Sequence, residues 1–289
     1  MPVDQLSVAL TKDQAYALVD AVAERDDLAL TASAHEDEAS GDWIFEATCE
    51  GEPDIAAFEA LAREVLGGEV GFALERLDPA INWVQKSLEG LPPVRAGGFY
   101  VYGSHATDPV PEGLIPIHID AAQAFGTGHH ETTTGCLEAI EALLRTSRPQ
   151  RVIDVGTGTG VLAIALAKRL DSPILATDID PIAVATTIDN AAANGVAAQI
   201  DALEATGLDH PEIAARAPYD LIVANILAGP LTALAPGMGR IAAPGGTAIL
   251  SGILDTQADA VRAAYEAAGF TLRDRLQRKE WTTLVLEKS

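Results

Sequence analysis

The sequence predicts an α/β protein: a doubly wound sheet with helices on both faces, preceded by a small ferredoxin-like α+β domain. From about residue 130 onward, short apolar strands alternate with helical segments, which is typical of parallel βαβ units. Residues 1–79 instead follow the order strand, helix, strand, strand, helix, strand. We therefore divide the chain into a small domain over residues 1–79, a linker over residues 80–113 and a large domain over residues 114–289.

Four short apolar stretches predict the strands of the small domain. Thr11 is a favourable N-cap for the first helix, and Pro53 opens the second, which ends at Gly67-Gly68. In the linker we predict a short helix from Asn82 to Leu88 and a strand from Gly98 to Tyr102. The predicted strands of the small domain are Leu6 to Leu10, Leu28 to Ala34, Trp43 to Cys49 and Val70 to Leu77.

The large domain combines buried strands with helices whose ends carry clear signals. Asp180 is placed to cap a helix that begins at Pro181 and ends at Asn194-Gly195. Two other helices run from Val161 to Leu170 and from Thr256 to Ala268. The predicted strands, of which the last two suit an antiparallel hairpin, are Arg151 to Ile153, Ile174 to Ala176, Asp220 to Ala224, Thr247 to Leu250, Thr271 to Leu276 and Trp281 to Glu287.

Composition limits the classes of function. No apolar run reaches the roughly 18 residues of a membrane span, and the N-terminus lacks the pattern of a signal peptide, so we expect a cytoplasmic protein without a membrane role. Cys49 and Cys136 lie far apart and form no CxxC, so we expect neither a disulfide framework nor a zinc ribbon. The formal net charge is −23, and residues 1–90 carry 20 Asp and Glu against five Lys and Arg. Such acidity disfavours nucleic acid and attracts a basic protein, although solubility alone explains it equally well.

A glycine-rich loop carries the functional argument, because it follows a buried strand and opens a helix. Its glycines let the backbone approach a ligand, and the helix beyond offers unpaired N–H groups. A dinucleotide fingerprint has the order GxGxxG, whereas here the order is GxGxG and Val161 stands where the last glycine would fall. S-adenosylmethionine has no phosphate to cradle, so the spacing favours that cofactor. The loop is Asp154-Val155-Gly156-Thr157-Gly158-Thr159-Gly160.

A carboxylate at the end of the next strand supports the same reading. Asp178 is placed to accept hydrogen bonds from both hydroxyls of a ribose. The alternative to a ribose-binding role is that Asp178 is an ordinary loop residue or a helix cap. However, Asp180 already fills the cap position before Pro181. Because enzymes that use NAD share this carboxylate, Asp178 indicates a ribose without deciding which cofactor carries it.

Three longer motifs identify a family that the chain resembles from about residue 80 to the C-terminus. The family is the bacterial methyltransferases of ribosomal large-subunit protein eleven, known as PrmA. Glu280-Trp281 near the end also fits its pattern. The matching segments are Ala124-Phe125-Gly126-Thr127-Gly128-His129-His130-Glu131-Thr132-Thr133 against AFGTGTHPTT, Asn225-Ile226-Leu227-Ala228-Gly229-Pro230-Leu231 against NILAGPL, and Ser251-Gly252-Ile253-Leu254 with Gln257-Ala258 against SGIL..QA.

The resemblance implies a class I methyltransferase fold, with a Rossmann-like sheet of seven strands in the large domain and substrate recognition by the small one. It also implies S-adenosylmethionine as cofactor, and methyl transfer to the α-amine and lysine ε-amines of ribosomal protein eleven by an enzyme that we expect to be monomeric. The first motif departs from the family where His129 and Glu131 replace Thr and Pro. The cofactor contacts, from the resemblance and from the loop itself, are Thr133, Gly156, Asp178, Asn225, Asp154, Gly158 and Phe125.

Amine methylation requires little from the protein beyond orientation and desolvation, since the sulfonium methyl is already activated. Asn225 ends a predicted strand at the ligand-binding edge of the sheet, so we predict that its amide oxygen orients the target amine. Its alternative is a turn residue that caps the next helix. Phe125 is placed either to cover the cofactor or to pack in the core. His129-His130-Glu131 lacks the spacing of a metal site, so we predict no metal.

Three other functions stay open at this stage. One is a related enzyme that methylates lysines of another protein or a small amine, although the small domain favours a macromolecular substrate. Another is an oxidoreductase that uses NAD, against which the GxGxG spacing and the NILAGPL loop count. The last is a ribosome-assembly module that keeps the fold without catalysis, a reading that intact Asp178 and Asn225 weaken.

Overall fold

The computed structural model of the chain describes residues 3–23, 25, 28–29, 31–36, 43–51, 53–77, 93–104, 106, 109–119 and 130–289. The chain divides into two compact units, Met1–Lys86 and Ser87–Ser289. The predicted helix from Asn82 to Leu88, and Phe125 with most of its motif, lie outside the described residues.

The first unit is a four-stranded antiparallel sheet, in the order β2-β3-β1-β4, with two helices. Its elements follow the order that the residue pattern predicts, and its core includes Leu18, Phe45 and Phe58, all fully buried. Asp54 caps the second helix by accepting from the Ala57 N–H at 3.0 Å. The elements are β1 (Val3–Leu10), α1 (Lys12–Ala23), β2 (Thr31–Glu36), β3 (Trp43–Glu50), α2 (Ile55–Leu66) and β4 (Ala73–Leu77).

The second unit contains a seven-stranded sheet in the order β10-β9-β8-β11-β12-β14-β13. The first five strands of that order are parallel, and β13 and β14 form the antiparallel hairpin that the sequence suggested. The strands are β8 (Val152–Val155), β9 (Ile174–Asp178), β10 (Ile200–Glu204), β11 (Tyr219–Asn225), β12 (Ala242–Leu254), β13 (Phe270–Arg278) and β14 (Trp281–Lys288).

Helices pack on both faces of this sheet, each face with its own apolar cluster. The predicted cap is confirmed, since Asp180 Oδ1 accepts from the Ile182 N–H at 2.8 Å. Parallel strands present their carboxyl ends at one edge, so the residues that end β8, β9 and β11 lie together there. The helices are α3 (His130–Leu144), α4 (Val161–Ala167), α5 (Pro181–Ala193), α6 (Pro211–Arg216), α7 (Ala228–Ile241) and α8 (Ala258–Ala267).

A second, three-stranded sheet also belongs to this unit and consists of β5 (Val94–Ala96), β6 (Phe99–Tyr102) and β7 (Ile115–His118). The residue pattern predicts only its middle strand. Phe99 and Ile117 are fully buried in the cluster that lies under α3 and α4. Half of the predicted linker therefore packs with the large domain, because its apolar side chains complete that core.

Two absences concern the described part of the chain. Within it, no helix combines the length and hydropathy that a bilayer span requires. Within the same residues, no group of three or more His, Cys, Asp and Glu side chains is placed to hold a metal ion.

Candidate active site

The glycine loop joins β8 to α4 and turns back toward β9. The N–H groups of Gly156 and Thr157 both donate to the Thr177 carbonyl, at 2.8 and 2.9 Å. Gly156, Gly158 and Gly160 have φ angles of 72°, 58° and 81°, in the left-handed region where side chains are disfavoured. A Cβ on Gly156 would also lie 2.3 Å from Ile226 Cγ2. The loop therefore requires glycine for its backbone path and for its closeness to the segment after Asn225.

Helix α5 supports the loop from the other side. Thr187 Oγ1 donates to the Gly158 carbonyl at 3.0 Å, and Asn190 Nδ2 donates to the Thr159 carbonyl at 2.9 Å. Both side chains are fully or nearly fully buried. These bonds hold the loop's carbonyls against α5 and so fix the path of its backbone.

Asp178 ends β9 and holds the middle of the glycine loop. Its Oδ2 accepts from the Gly158 N–H at 2.8 Å, and its Oδ1 accepts from the Asp180 N–H at 3.1 Å. A carboxylate has about four acceptor positions, so the ribose contact predicted for Asp178 is compatible with these two bonds. The residue thus fixes the shape of the loop and has acceptor positions beyond these two bonds.

Asp154 places its buried carboxyl group between the glycine loop and the first turn of α4. Its Oδ2 accepts from Thr157 Oγ1 at 2.8 Å and from the Ala163 N–H, in the first turn of α4, at 3.2 Å. Its Oδ1 is buried and has no hydrogen-bond partner among the described residues. Burial raises the pKa of Asp154 to about 7, because removal from water disfavours the charged form more than the two bonds favour it. Asp154 therefore supports the glycine loop and does not itself line the cavity.

The raised pKa of Asp154 predicts a pH dependence of stability. The folded state holds this proton up to about pH 7 while the unfolded chain releases it near its ordinary pKa of 3.8, so stability should fall as pH rises between these values. The slope from one proton is at most ~1.4 kcal/mol per pH unit. Asp154→Asn removes the titration and keeps an acceptor for Thr157. We expect thermal midpoints at pH 5 and pH 8 to differ less in the variant than in the wild type; equal differences in the two proteins would contradict it.

Asn225 ends β11 and faces the first turn of α3. Its amide Nδ2 donates to Thr132 Oγ1 at 3.3 Å and, at the limit of hydrogen bonding, to Thr133 Oγ1 at 3.5 Å. The next helix, α7, has Leu227 and not Asn225 at its N-cap position. The amide nitrogen is thus directed at the two threonines, which leaves the amide oxygen for a ligand.

These elements enclose a cavity of about 230 Å³. Four of the predicted contacts line it, namely Thr133, Gly156, Gly158 and Asn225. Asp154 and Asp178 do not line it, but both are hydrogen-bonded to residues that do. The other lining residues are Thr132, Thr157, Thr159, Val161, Leu162, Ile226, Leu227, Gly252 and Trp281.

Several lining residues are ones that sequence reasoning missed. Trp281 begins β14 and was not among the predicted contacts, although the Glu280-Trp281 pair in the family pattern was a usable signal. Leu227, at the N-cap position of α7, lines the cavity and is 69% exposed. Thr132 lies next to the predicted Thr133, and only the packing of α3 shows that both threonines reach Asn225.

The chemistry of the lining distinguishes between ligands. All the described lining residues are uncharged, and they combine small, hydroxyl-bearing and apolar side chains. No lysine or arginine among them is placed to neutralise a diphosphate, and Val161 blocks the third glycine position of a dinucleotide loop. The glycine path, the carboxylate on the adjacent strand and the neutral walls fit a nucleoside without phosphate groups, with an amide oxygen beside it.

Comparison with known proteins agrees with this geometry. The family model described as ribosomal protein L11 methyltransferase (PrmA) matches residues 4–289. A protein named ribosomal protein L11 methyltransferase from Brucella suis (strain ATCC 23445 / NCTC 10510) is 53% identical over 245 residues, which cover 84% of this chain and 85% of that protein. The protein of the same name from Mesorhizobium japonicum is 47% identical over 246 residues, with the same shares covered.

A solved structure extends the comparison to three dimensions. The ribosomal protein L11 methylase of Lactobacillus delbrueckii subsp. bulgaricus superposes with a TM-score of 0.60 at 30% sequence identity, covering 66% of this chain and 96% of that one. The match of the family model over nearly the whole chain, with relatives at about half identity, decides the assignment: the chain belongs to the ribosomal protein L11 methyltransferase (PrmA) family.

Proposed function

We propose that the chain is an S-adenosylmethionine-dependent methyltransferase that modifies the α-amine and lysine ε-amines of ribosomal protein L11. The observation that carries the proposal is the cavity in which the glycine loop, supported by Asp178, meets the amide of Asn225. Family membership supports the same reaction class. No other candidate function has an observation of its own in its favour.

The residues that would hold the cofactor fall into two groups. The glycine loop and Thr133 would enclose its methionine part, and Asp178 would accept hydrogen bonds from its ribose. Phe125 stays a prediction as a cover for the same ligand. When bound, S-adenosylmethionine supplies an activated methyl group on a sulfonium. Because this cofactor has no phosphate, the uncharged walls of the cavity suit it.

The chain's own residues would make the amine reactive by position and desolvation. An ammonium group must lose a proton before it can attack, and removal from water favours the neutral form. Asn225 Oδ1 would accept from an amine N–H and direct the nitrogen lone pair toward the methyl carbon, at about 3 Å. Trp281, Ile226 and Leu227 would exclude water around the alkyl stem of a lysine.

The substrate and its setting are further parts of the proposal. The first unit would recognise L11, and its acidity supports attraction to a basic protein surface. The net charge of −23 counts against direct contact with nucleic acid. We also propose a monomer that acts in the cytoplasm without a membrane contact.

Labelling of purified ribosomal proteins tests the proposal. We expect the chain and methyl-labelled S-adenosylmethionine to place label on L11, and mass spectrometry of L11 peptides to locate it on the α-amine and on lysines. The Asn225→Ala variant is the control for transfer at this site. Label on a different protein would favour the alternative lysine methyltransferase, and cofactor binding without transfer would favour a non-catalytic module. Either result would reject the proposal.

A further inference from the structure

The role proposed for Asn225 depends on which end of its side-chain amide faces the cavity. The amide is nearly symmetric in shape, but its oxygen accepts hydrogen bonds and its nitrogen donates them. A neutral amine that uses its lone pair for attack needs an acceptor for its N–H. With the amide reversed, Asn225 would present N–H groups to that lone pair and compete with the reaction. Some group must therefore determine the orientation.

Thr132 is the group best placed to do so. Among the described residues, its Oγ1 is the nearest hydrogen-bond partner of Asn225 Nδ2, at 3.3 Å, against 3.5 Å for Thr133. Thr132 lines the cavity, yet only 2% of its surface is exposed, so water does not replace this partner easily. Distances of this kind commonly shorten when a substrate completes the site.

The backbone of Thr132 is itself held in place by the sheet. Ser251, fully buried in β12, donates from Oγ to the Thr132 carbonyl at 3.2 Å and shares a 2.9 Å hydrogen bond with Thr283 Oγ1. Ser251 is also the register partner of Asn225 between β12 and β11. The same strand position thus fixes both ends of the Asn225–Thr132 contact.

Helix α3 can reach this position because Gly135 has no side chain. A Cβ at Gly135 would lie 2.3 Å from Thr283 Oγ1, so with a larger residue either the Thr283 side chain or α3 would have to shift. The glycine keeps α3 on the sheet, and Thr132 stays within reach of Asn225.

We infer that Thr132 is a positioning residue, which holds the Asn225 amide by its nitrogen and so leaves the amide oxygen for the substrate amine. The inference rests on the proposed function, because it concerns the amine that the cavity would receive. It separates the roles of adjacent threonines, since Thr133 is assigned to the cofactor and Thr132 to the orientation of Asn225.

Thr132→Val tests the inference, because valine keeps the shape and removes the hydroxyl. We expect kcat for methyl transfer to L11 to fall by about 10- to 100-fold, as misplacement of a catalytic group does. Affinity for S-adenosylhomocysteine, measured by calorimetry, should change by less than about 3-fold, and the thermal midpoint should stay close to that of the wild type. Thr132→Ser, which restores a hydroxyl, should recover most of the lost rate. Thr134→Val is the matched control, because Thr134 is also buried and lies in the same helix turn but does not line the cavity.

A double-mutant cycle distinguishes positioning from general damage. If Thr132 acts through Asn225, then Thr132→Val should cost less than about 3-fold in single-turnover rate when Asn225 is already alanine. An equal loss in both backgrounds, or a Thr132→Val enzyme with wild-type kcat, would overturn the inference while the wild type still labels L11. A wild type that labels no L11 would instead defeat the proposed function, and the inference with it.

Discussion

Replacement of Asp178 by alanine should weaken binding of S-adenosylmethionine by about 10- to 150-fold, which corresponds to the loss of one charge-assisted hydrogen bond of about 1.5–3 kcal/mol. The carboxylate has two tasks in the structure. It holds the Gly158 N–H at 2.8 Å, and it has acceptor positions left for the ribose hydroxyls. The alanine variant would lose both the proposed ligand contact and the support of the loop.

Calorimetric titration with S-adenosylhomocysteine measures this loss without any methyl transfer. Asp178→Asn separates the two tasks, because an amide oxygen can still accept from Gly158 while the negative charge is gone, and we expect an intermediate affinity. Asp180→Ala is the neighbouring control, since that carboxylate caps α5 by accepting from Ile182 and, within the described part of the chain, makes no hydrogen bond to the loop. Unchanged affinity in Asp178→Ala, or an equal loss in Asp180→Ala, would exclude the assigned role.

Replacement of Gly252 by alanine should cost about 2–5 kcal/mol of folding stability and most of the catalytic rate. Gly252 has a φ of 81°, where an L side chain costs about 1–2 kcal/mol. Its Cβ would also lie 2.3 Å from the Ile226 carbonyl oxygen, and overpacking of this kind adds about 1–3 kcal/mol. The clash is with backbone, so the segment that carries Asn225 must move. A displacement near 1 Å at a catalytic group is enough for about a 100-fold loss of rate.

Gly245→Ala provides a matched control on the same strand. Gly245 has a φ of 74°, close to that of Gly252, but a Cβ there would meet nothing within 4 Å. Its cost should be limited to the backbone strain, with activity nearly unchanged. Thermal unfolding and initial rates of both variants compare the two effects. Equal behaviour of the two variants would show that the contact with Ile226 has no special importance.

Much of the large domain could be predicted because its signals are local. A cap such as Asp180 followed by Pro181 marks a helix start from adjacent residues alone, and the glycine loop is recognisable by its place between a buried strand and a helix. The small three-stranded sheet was largely missed, since short strands such as Val94–Ala96 have too few residues for a periodic pattern.

Some residues of the candidate site were likewise predictable from the sequence, and others were not. Thr133, Gly156, Gly158 and Asn225 were all predicted, and all line one cavity. Trp281 and Leu227 were not, because an aromatic or aliphatic residue looks the same in sequence whether it faces a core or a cavity. Asp154 was predicted from the loop motif, but its burial beneath the loop and its raised pKa depend on the packing of α4 against β8.

By itself, the sequence determined the alternation of elements, the glycine path of the cofactor loop and the carboxylate on the neighbouring strand, because these depend on backbone preferences and on residues close in the chain. Only the tertiary structure decided which side chains meet across the candidate site. Thr132 and Asn225 are 93 positions apart in the chain, and Ser251 and Thr132 are 119 apart. Contacts at such separations follow from strand order and helix packing, which bury Ser251 under α3 and direct the Asn225 amide nitrogen to its threonines.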